Sequence, residues 1–326
     1  MVVKASAAYY GGPMAVNPFF VVNPHSADGR TLRLWGELRG LLARRFGEVR
    51  FELTRGTMHA AELAAAAIEG GADLVVAVGG DGTLNEVLNG CFRAARRPVP
   101  GAVLGYLPSG TGSDFARTMG LYGLPLAQQV EKLASGTVRL LDCGQVHFTG
   151  AGPSGAPLET SRLFLNESSL GFSAETVNNV NRASKRFGGK MSFFLGVLRT
   201  LTRLRNPLLQ VTVDGKQVYE GPTLLVAVAN GKYFGGSMMI APMAEVQDGE
   251  FDVVVVSAMT RLTVLKKIGK IYRGEHLTEP EVHVYRGAEV RINSVGEEVL
   301  LEMDGEQPGR LAADFRISRH TVPFLA

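Results

Sequence analysis

Residues 73–91 read DLVVAVGGDGTLNEVLNGC. An uninterrupted apolar run stops at two glycines and resumes as a helical pattern, TLNEVLNGCF. A strand without polar alternation is buried on both faces and belongs in a parallel sheet covered by helices. The same order recurs on either side. FFVVNP is a short strand, followed by RTLRLWGELRGLLARRF with Leu34, Leu38, Leu41 and Leu42 at helical spacing. VRFEL is a strand and TMHAAELAAAAIEGG a helix, with Thr57 as N-cap and Gly70-Gly71 as its stop. AVLGYLP is a strand and PLAQQVEKLASG a helix. Strands alternating with helices predict a layered α/β domain over residues 1–141.

After Leu141 the pattern changes. SRLFLNE, LLQVTVDGKQVYEG, TLLVAVANG, EFDVVVVSA, EVHVYRGAEVRIN and EVLLEMDGE are strand-like, and Asp214-Gly215 carries a hairpin signal. These predict a mostly antiparallel second domain over 142–307, interrupted by two helices, KMSFFLGVLRTLTRLRN and TRLTVLKKIGKIYRG. A length of 326 residues suits two domains.

The glycines carry the first chemical signal. They allow backbone N–H groups to approach an anion, and a following helix N-terminus adds a favourable dipole. Neither GxxxxGK[ST] nor GxGxxG is present. Asp81 inside the loop is an acid where phosphates would bind, which makes sense if a divalent cation bridges the two or if Asp81 takes a proton. The plain alternative is a glycine-rich turn with Asp81 as helix cap. Glu86, one turn on, could assist Asp81, but taken alone it reads as a solvated helix residue. A second loop, YLPSGTGSDFART, again follows a strand and offers Ser109 and Thr111, with Asp114 read as the cap of a helix starting at Phe115. Ligands gather at the carboxyl ends of parallel strands, so two such loops in one sheet point to one nucleotide. Taken alone, MDGEQPG at Asp304-Gly305-Glu306 and VQDGEFD at Asp248 read as turns.

Composition narrows the classes. The chain is 45% hydrophobic and 20% charged, and its net charge of +3 does not by itself imply a nucleic-acid partner, none being expected, and is compatible with an anionic ligand or membrane surface. Two cysteines without CxxC suit a reduced cytoplasmic setting, and six histidines without HExxH give no zinc-protease signal. No apolar run approaches the about 18 residues of a membrane span. Residues 1–20 read as a disordered leader rather than a signal peptide. The stretch RASKRFGGKMSFFLGVLRTLTRLRN sets Arg182, Lys185, Arg186, Lys190, Arg199, Arg203 and Arg205 beside Phe193, Phe194, Leu195, Val197 and Leu198. That suits either an anionic membrane surface or a buried helix with a basic edge.

In order along the chain, VVNPHSADG, AVGGDGTLNEVLNG, LPSGTGSDFAR, FLNESSLGFSAETV, KRFGGKMSFFLGVLRTL, VANGKYFGGSMMIAPMAEVQDGEFDVVVV and LEMDGE resemble the diacylglycerol kinase catalytic-domain family, with sphingosine kinase as a cousin. The resemblance runs from Phe19 to about Asp314. It implies a three-layer α/β/α domain similar to those of NAD kinase and 6-phosphofructokinase, then a mainly antiparallel β-sandwich. A last segment, about 308–326, is expected to return to the first domain. The resemblance implies ATP as donor, Mg²⁺, and a lipid hydroxyl as acceptor, of the diacylglycerol, phosphatidylglycerol or sphingoid type, taken at the inner face of the membrane. Nucleotide positions carry over to Asn23, Thr54, Gly79, Gly80, Asp81, Gly82, Thr83, Leu84, Asn85, Ser109 and Thr111. The general base falls on Asp304 or Glu306, with Asp81 facing the phosphates through Mg²⁺. A structural magnesium loop falls on Asp248, with backbone carbonyls near Glu245 and Glu250. The pattern departs in three places: Ala27-Asp28 intervene before Gly29, Ser113 replaces an asparagine, and Gln247 replaces an aspartate. An edge-to-edge sheet contact would give a homodimer. NAD kinase, and a non-catalytic lipid- or nucleotide-binding protein on the same fold, are the alternatives.

Overall fold

The computed structural model describes residues 17–94, 102–151, 156–182 and 189–325. The leader expected over residues 1–20 therefore lies outside the described residues up to residue 16. The chain divides into two units. The first takes the residues up to Gly110, then Leu121–Leu141 and the C-terminal residues from Ser318; the second takes Thr111–Gly120 and Asp142–Ile317.

In the first unit, β1 (Pro18–Val22), α1 (Ser26–Phe46), β2 (Arg50–Leu53), α2 (His59–Glu69), β3 (Leu74–Gly79), α3 (Asp81–Ala94) and β4 (Val103–Pro108) alternate as predicted. The α/β reading of this half is correct. β1, β2, β3 and β4 pair in parallel in the order β2-β1-β3-β4. The C-terminal strand Val322–Leu325 extends the sheet beside β4, and Val138–Leu141 closes it antiparallel to that strand. The sheet is apolar on both faces because helices cover both. On one face Phe20, Val22, Val76 and Val78 pack against Trp35, Leu38 and Leu42 of α1. The alanines Ala60, Ala61 and Ala64 of α2 are buried, and small side chains let α2 lie close to α3.

The Ala27-Asp28 departure has a local form. Ala27, Asp28 and Gly29 all have positive φ, so α1 begins with a left-handed turn before the regular helix. The N-cap predicted at Thr57 is not one: α2 starts at His59, with Met58 preceding it in a left-handed conformation.

The second unit opens with the short helix α4 (Asp114–Thr118). It continues through α5 (Leu126–Ser135) and β5 (Val138–Leu141) of the first unit to β6 (Gly144–Ala151), β7 (Pro157–Phe164), β8 (Glu167–Gly171), α6 (Phe172–Arg182), α7 (Gly189–Thr202), β9 (Leu208–Val213), β10 (Lys216–Ala229), β11 (Phe251–Ser257), α8 (Arg261–Ile271), β12 (Val282–Gly287), β13 (Glu289–Ser294), β14 (Leu300–Met303) and β15 (Glu306–Ile317). All pairings here are antiparallel, as expected.

β10 links the layers. Its first half pairs with β9, and its second half with β8 and β11, so β10-β8-β14-β15-β13-β9 close on themselves. β11 shows why FDVVVV carries no polar alternation. Phe251, Val253 and Val255 enter the core between the sheet layers, while Val254 and Val256 pack under the helices with Val197, Leu201 and Val264. EVHVYRGAEVRIN is two strands rather than one, and Asp214 accepts hydrogen bonds from the Ala288 and Glu289 N–H groups at the break. The return to the first unit comes at Ser318, later than about 308, because β15 keeps pairing with β6 and β13 through Ile317.

No helix among the described residues is long and apolar enough to cross a membrane.

Candidate active site

In the first unit the expected nucleotide residues sit at the carboxyl ends of the parallel strands. β3 ends at Gly79, and α3 starts at Asp81, its first internal hydrogen bond running from Leu84 N–H to the Gly80 carbonyl at 3.1 Å. The Gly82 and Thr83 amides precede that bond and so have no helical carbonyl behind them. The Gly79 carbonyl accepts from Ser109 N–H at 2.8 Å and Gly110 N–H at 3.0 Å, which draws the second loop onto the first. Asn23 Nδ2 donates to Thr83 Oγ1 at 3.0 Å, and Thr31 and Ser109 share a hydroxyl–hydroxyl bond of 2.7 Å. Thr54 follows β2 directly, its N–H bound to the Val22 carbonyl at 2.8 Å. A side chain at Gly79 would put its Cβ 2.5 Å from Thr83 Oγ1, so only glycine fits there. Thr54, Thr83, Leu84 and Asn85 are buried, and Asp81 is half-buried with the Tyr106 hydroxyl 3.5 Å from Oδ1. The structure thus brings Asn23, Thr54, Gly79–Asn85 and Ser109 to one edge of the sheet.

Two neighbouring acids do other work than expected. Glu86 is buried rather than solvated, and its Oε2 accepts from Ala60 N–H at 3.1 Å, serving the start of α2. Asp114 is no simple helix cap: its two oxygens accept from Gly236 and Ser237 N–H, each at 2.7 Å, and so anchor that loop. Thr111 belongs with Asp114 to the second unit.

The second unit holds the DGE segment in a two-residue hairpin between β14 and β15. Met303 pairs with Glu306, and Asp304 and Gly305 both have positive φ, as a type I′ turn requires. The hairpin reading and the chemical reading coexist. Asp304 is almost fully buried, and its carboxylate accepts from the backbone N–H groups of Leu165, Asn166 and Glu167 at 3.4, 3.3 and 3.1 Å. Glu306 is half-exposed and pairs with Arg162 at 3.0 Å. Arg162 went unnoticed in the sequence because it lies 144 residues away with no local signal.

At the expected magnesium loop, Asp248 Oδ1 accepts from Glu250 N–H at 3.2 Å while Oδ2 pairs with Arg286. Arg286 also reaches Glu250 at 3.3 Å and Asp252 at 3.5 Å. Glu245 is exposed. Among the described residues no three acidic, histidine or cysteine side chains converge as a metal site. One guanidinium thus faces the three carboxylates of Asp248, Glu250 and Asp252, and the loop keeps a net negative charge. Asp142, which the sequence reading passed over, accepts from Gly249 N–H at 2.8 Å, and burial raises its carboxyl above the usual range, with Asp248 adding to the effect.

Residues 17–146 match the family model described as diacylglycerol kinase catalytic domain, and residues 167–325 the one described as YegS C-terminal NAD kinase beta sandwich-like domain. The chain carries a diacylglycerol kinase catalytic domain over residues 17–146. It is 29% identical to a diacylglycerol kinase of Bacillus subtilis (strain 168) over 76% of each chain. It is 26% identical to a diacylglycerol kinase of Mycobacterium tuberculosis over 87% of each. A solved diacylglycerol kinase from Bacillus anthracis shares its fold with a TM-score of 0.67 at 21% identity, covering 94% of this chain and 96% of that one. Yeast NADH kinase shares it with a TM-score of 0.50 at 13% identity, covering 97% of this chain and 84% of that one. The kinase family and the α/β-then-β-sandwich fold expected from the sequence are therefore correct, and the chemistry common to that family is phosphoryl transfer.

Proposed function

We propose that this chain transfers the γ-phosphate of ATP to a lipid hydroxyl. The observation that carries the reading is the glycine loop at the start of α3, closed by Ser109 and Gly110 on one side and Asn23 on the other. The amides of the first helical turn would hold phosphate oxygens, and the helix dipole favours their charge. Asp81 offers carboxylate oxygen, the donor type Mg²⁺ takes, beside that cradle. Mg²⁺ arriving with ATP would supply charge neutralisation on the phosphates.

For the base, the two candidates differ in access. Both Asp304 oxygens accept backbone N–H groups, so Asp304 suits anchoring. Glu306 keeps a half-exposed carboxylate oriented by Arg162, so Glu306 is the proposed acceptor of the lipid hydroxyl proton.

The lipid must come from a bilayer. Leu195 and Leu198 on α7, and Leu262 and Leu265 on α8, are exposed. Arg261 joins the two helices by donating to the Thr202 carbonyl at 2.8 Å. Basic side chains beside exposed leucines suit an anionic bilayer surface. Of the residues first considered for this role, Lys185 and Arg186 lie outside the described residues, as do the side chains of Arg182, Lys190, Phe193 and Phe194.

The test offers γ-labelled ATP and Mg²⁺ with diacylglycerol, phosphatidylglycerol, sphingosine and an undecaprenol in separate micelles, with NAD as a soluble acceptor. Label in one lipid supports the reading and names the acceptor class. Label in NAD alone, or ATP binding without transfer to anything, overturns it.

A further inference from the structure

Beneath the DGE turn lie two acids that the proposed chemistry leaves unused. β8 and β14 pair with Glu302 opposite Ser169 and Met303 opposite Ser168. Glu302 stands in a strand between Leu301 and Met303, both core residues, and is 2% exposed. Its Oε2 accepts from the Ser169 hydroxyl at 2.5 Å, and its Oε1 accepts from Gly305 N–H at 2.6 Å, across the base of the turn. Glu167 opens β8 and is also 2% exposed. Its N–H donates to Asp304 Oδ1 and its carbonyl accepts from Asp304 N–H, both at 3.1 Å. The Glu167 carboxyl faces that of Glu302 at hydrogen-bonding range, and no N–H or hydroxyl reaches its buried Oε2.

Two ionised carboxylates are both acceptors and cannot hydrogen-bond each other; a proton must lie between them. Burial first, and then the Glu302 charge, push the Glu167 carboxyl well above the usual carboxylate range. The Ser169 hydroxyl offsets this only in part. Asp304 adds repulsion. Glu306 is committed to Arg162 of β7. Glu175 on α6, which packs against both strands, is itself raised by burial. Cys143, just before β6, has its thiol pushed up by burial and by Asp304.

We propose that Glu167 and Glu302 share one proton and act as a positioning pair for the Asp304-Gly305-Glu306 turn. Glu302 grips Gly305, Glu167 grips Asp304 through its backbone, and the proton keeps the two grips together. The functional side of this inference rests on the kinase reading of that turn.

The experiment uses the full chain with Glu302→Ala, Glu302→Gln and Glu167→Gln. Glutamine keeps an acceptor oxygen and puts an N–H where the proton was. Glu302→Ala is expected to lower kcat about tenfold with the KM for ATP little changed, and Glu302→Gln to restore most of it. Wild-type activity should decline on the alkaline side as the proton is lost, and both glutamine variants should lack that decline.

Two readouts do not need activity. Hydrogen exchange at the 303–307 turn should accelerate in Glu302→Ala and slow again in Glu302→Gln. The folded pair holds a proton that the unfolded chain, with an ordinary value of 4.5, has released, so native stability falls as pH rises above that value. The Tm of wild type should therefore fall relative to Glu167→Gln between about pH 5 and about pH 8. A constant Tm difference, or unchanged exchange in Glu302→Ala, overturns the proposal. Absence of phosphate transfer by wild type would instead overturn the kinase reading, leaving exchange and Tm to decide the pair.

Discussion

Asn23 Nδ2 donates a 3.0 Å hydrogen bond to Thr83 Oγ1, and the same Thr83 oxygen occupies the space that a side chain at Gly79 would need. One hydroxyl thus fixes the loop after β1 against the first turn of α3 and excludes every residue but glycine at the end of β3. Gly79→Ala should cost about 1–3 kcal/mol, the usual range for overpacking. Gly80→Ala, where the added Cβ would meet only ordinary contacts at 3.5 Å, should leave Tm near the wild-type value. Thermal unfolding of the two variants side by side checks the contrast. Equal Tm losses would contradict it.

Glu86 Oε2 supports the start of α2 by accepting from Ala60 N–H. Glu86→Ala leaves a buried donor unsatisfied, a loss of about 1–3 kcal/mol. Glu86→Gln keeps an oxygen acceptor and should lose less. Urea unfolding of both variants measures the difference, and hydrogen exchange should place the weakening at residues 59–62.

His276 is buried, with Nε2 on the Ile240 carbonyl at 3.0 Å and Nδ1 without a partner. Burial lowers its pKa from the ordinary 6.5, the backbone contact opposing this only in part. The unfolded chain therefore takes up the proton first, and this contribution to stability is lost as pH falls below 6.5 toward and through the folded value. Tm should drop more between about pH 7.5 and about pH 5.5 in wild type than in His276→Gln, which keeps a donor for Ile240. Parallel curves would mean that the ring stays accessible to protonation when folded.

α7 and α8 bury Val197, Leu201 and Val264 in one cluster and leave Leu195, Leu198, Leu262 and Leu265 outside. Leu195→Asp with Leu262→Asp should weaken flotation with phosphatidylglycerol vesicles, and added salt should weaken it further. Equal binding to anionic and neutral vesicles would remove the electrostatic part of the membrane proposal.

The parts of the fold legible in the sequence are those where one local rule decides. LVVAVG reads as a buried strand because both faces are covered, and Gly79 at its end marks the turn into α3 because only glycine suits the close approach to Thr83. β15 was invisible beyond its first residues. Pro308, Gly309, Ala312 and Ala313 carry little strand preference, and the strand exists because β6, β13 and β14 pair with it. Long-range partners also hid the roles of acids. Nothing near Glu86 announces Ala60, and nothing near Asp114 announces Gly236. Glu302 did leave a trace: an acid flanked by apolar strand residues two positions before Asp304 marks a buried polar group that needs a partner.

The central claim is tested most directly by one measurement: transfer of label from γ-labelled ATP with Mg²⁺ to a total bacterial lipid extract, with wild type beside Asp81→Ala. Circular dichroism and Tm confirm that both are folded. The account predicts a labelled lipid with wild type and none with Asp81→Ala at an unchanged Tm. Equal labelling by the two proteins would contradict the role of Asp81, and no labelled lipid from folded, ATP-binding wild type would contradict the lipid kinase itself.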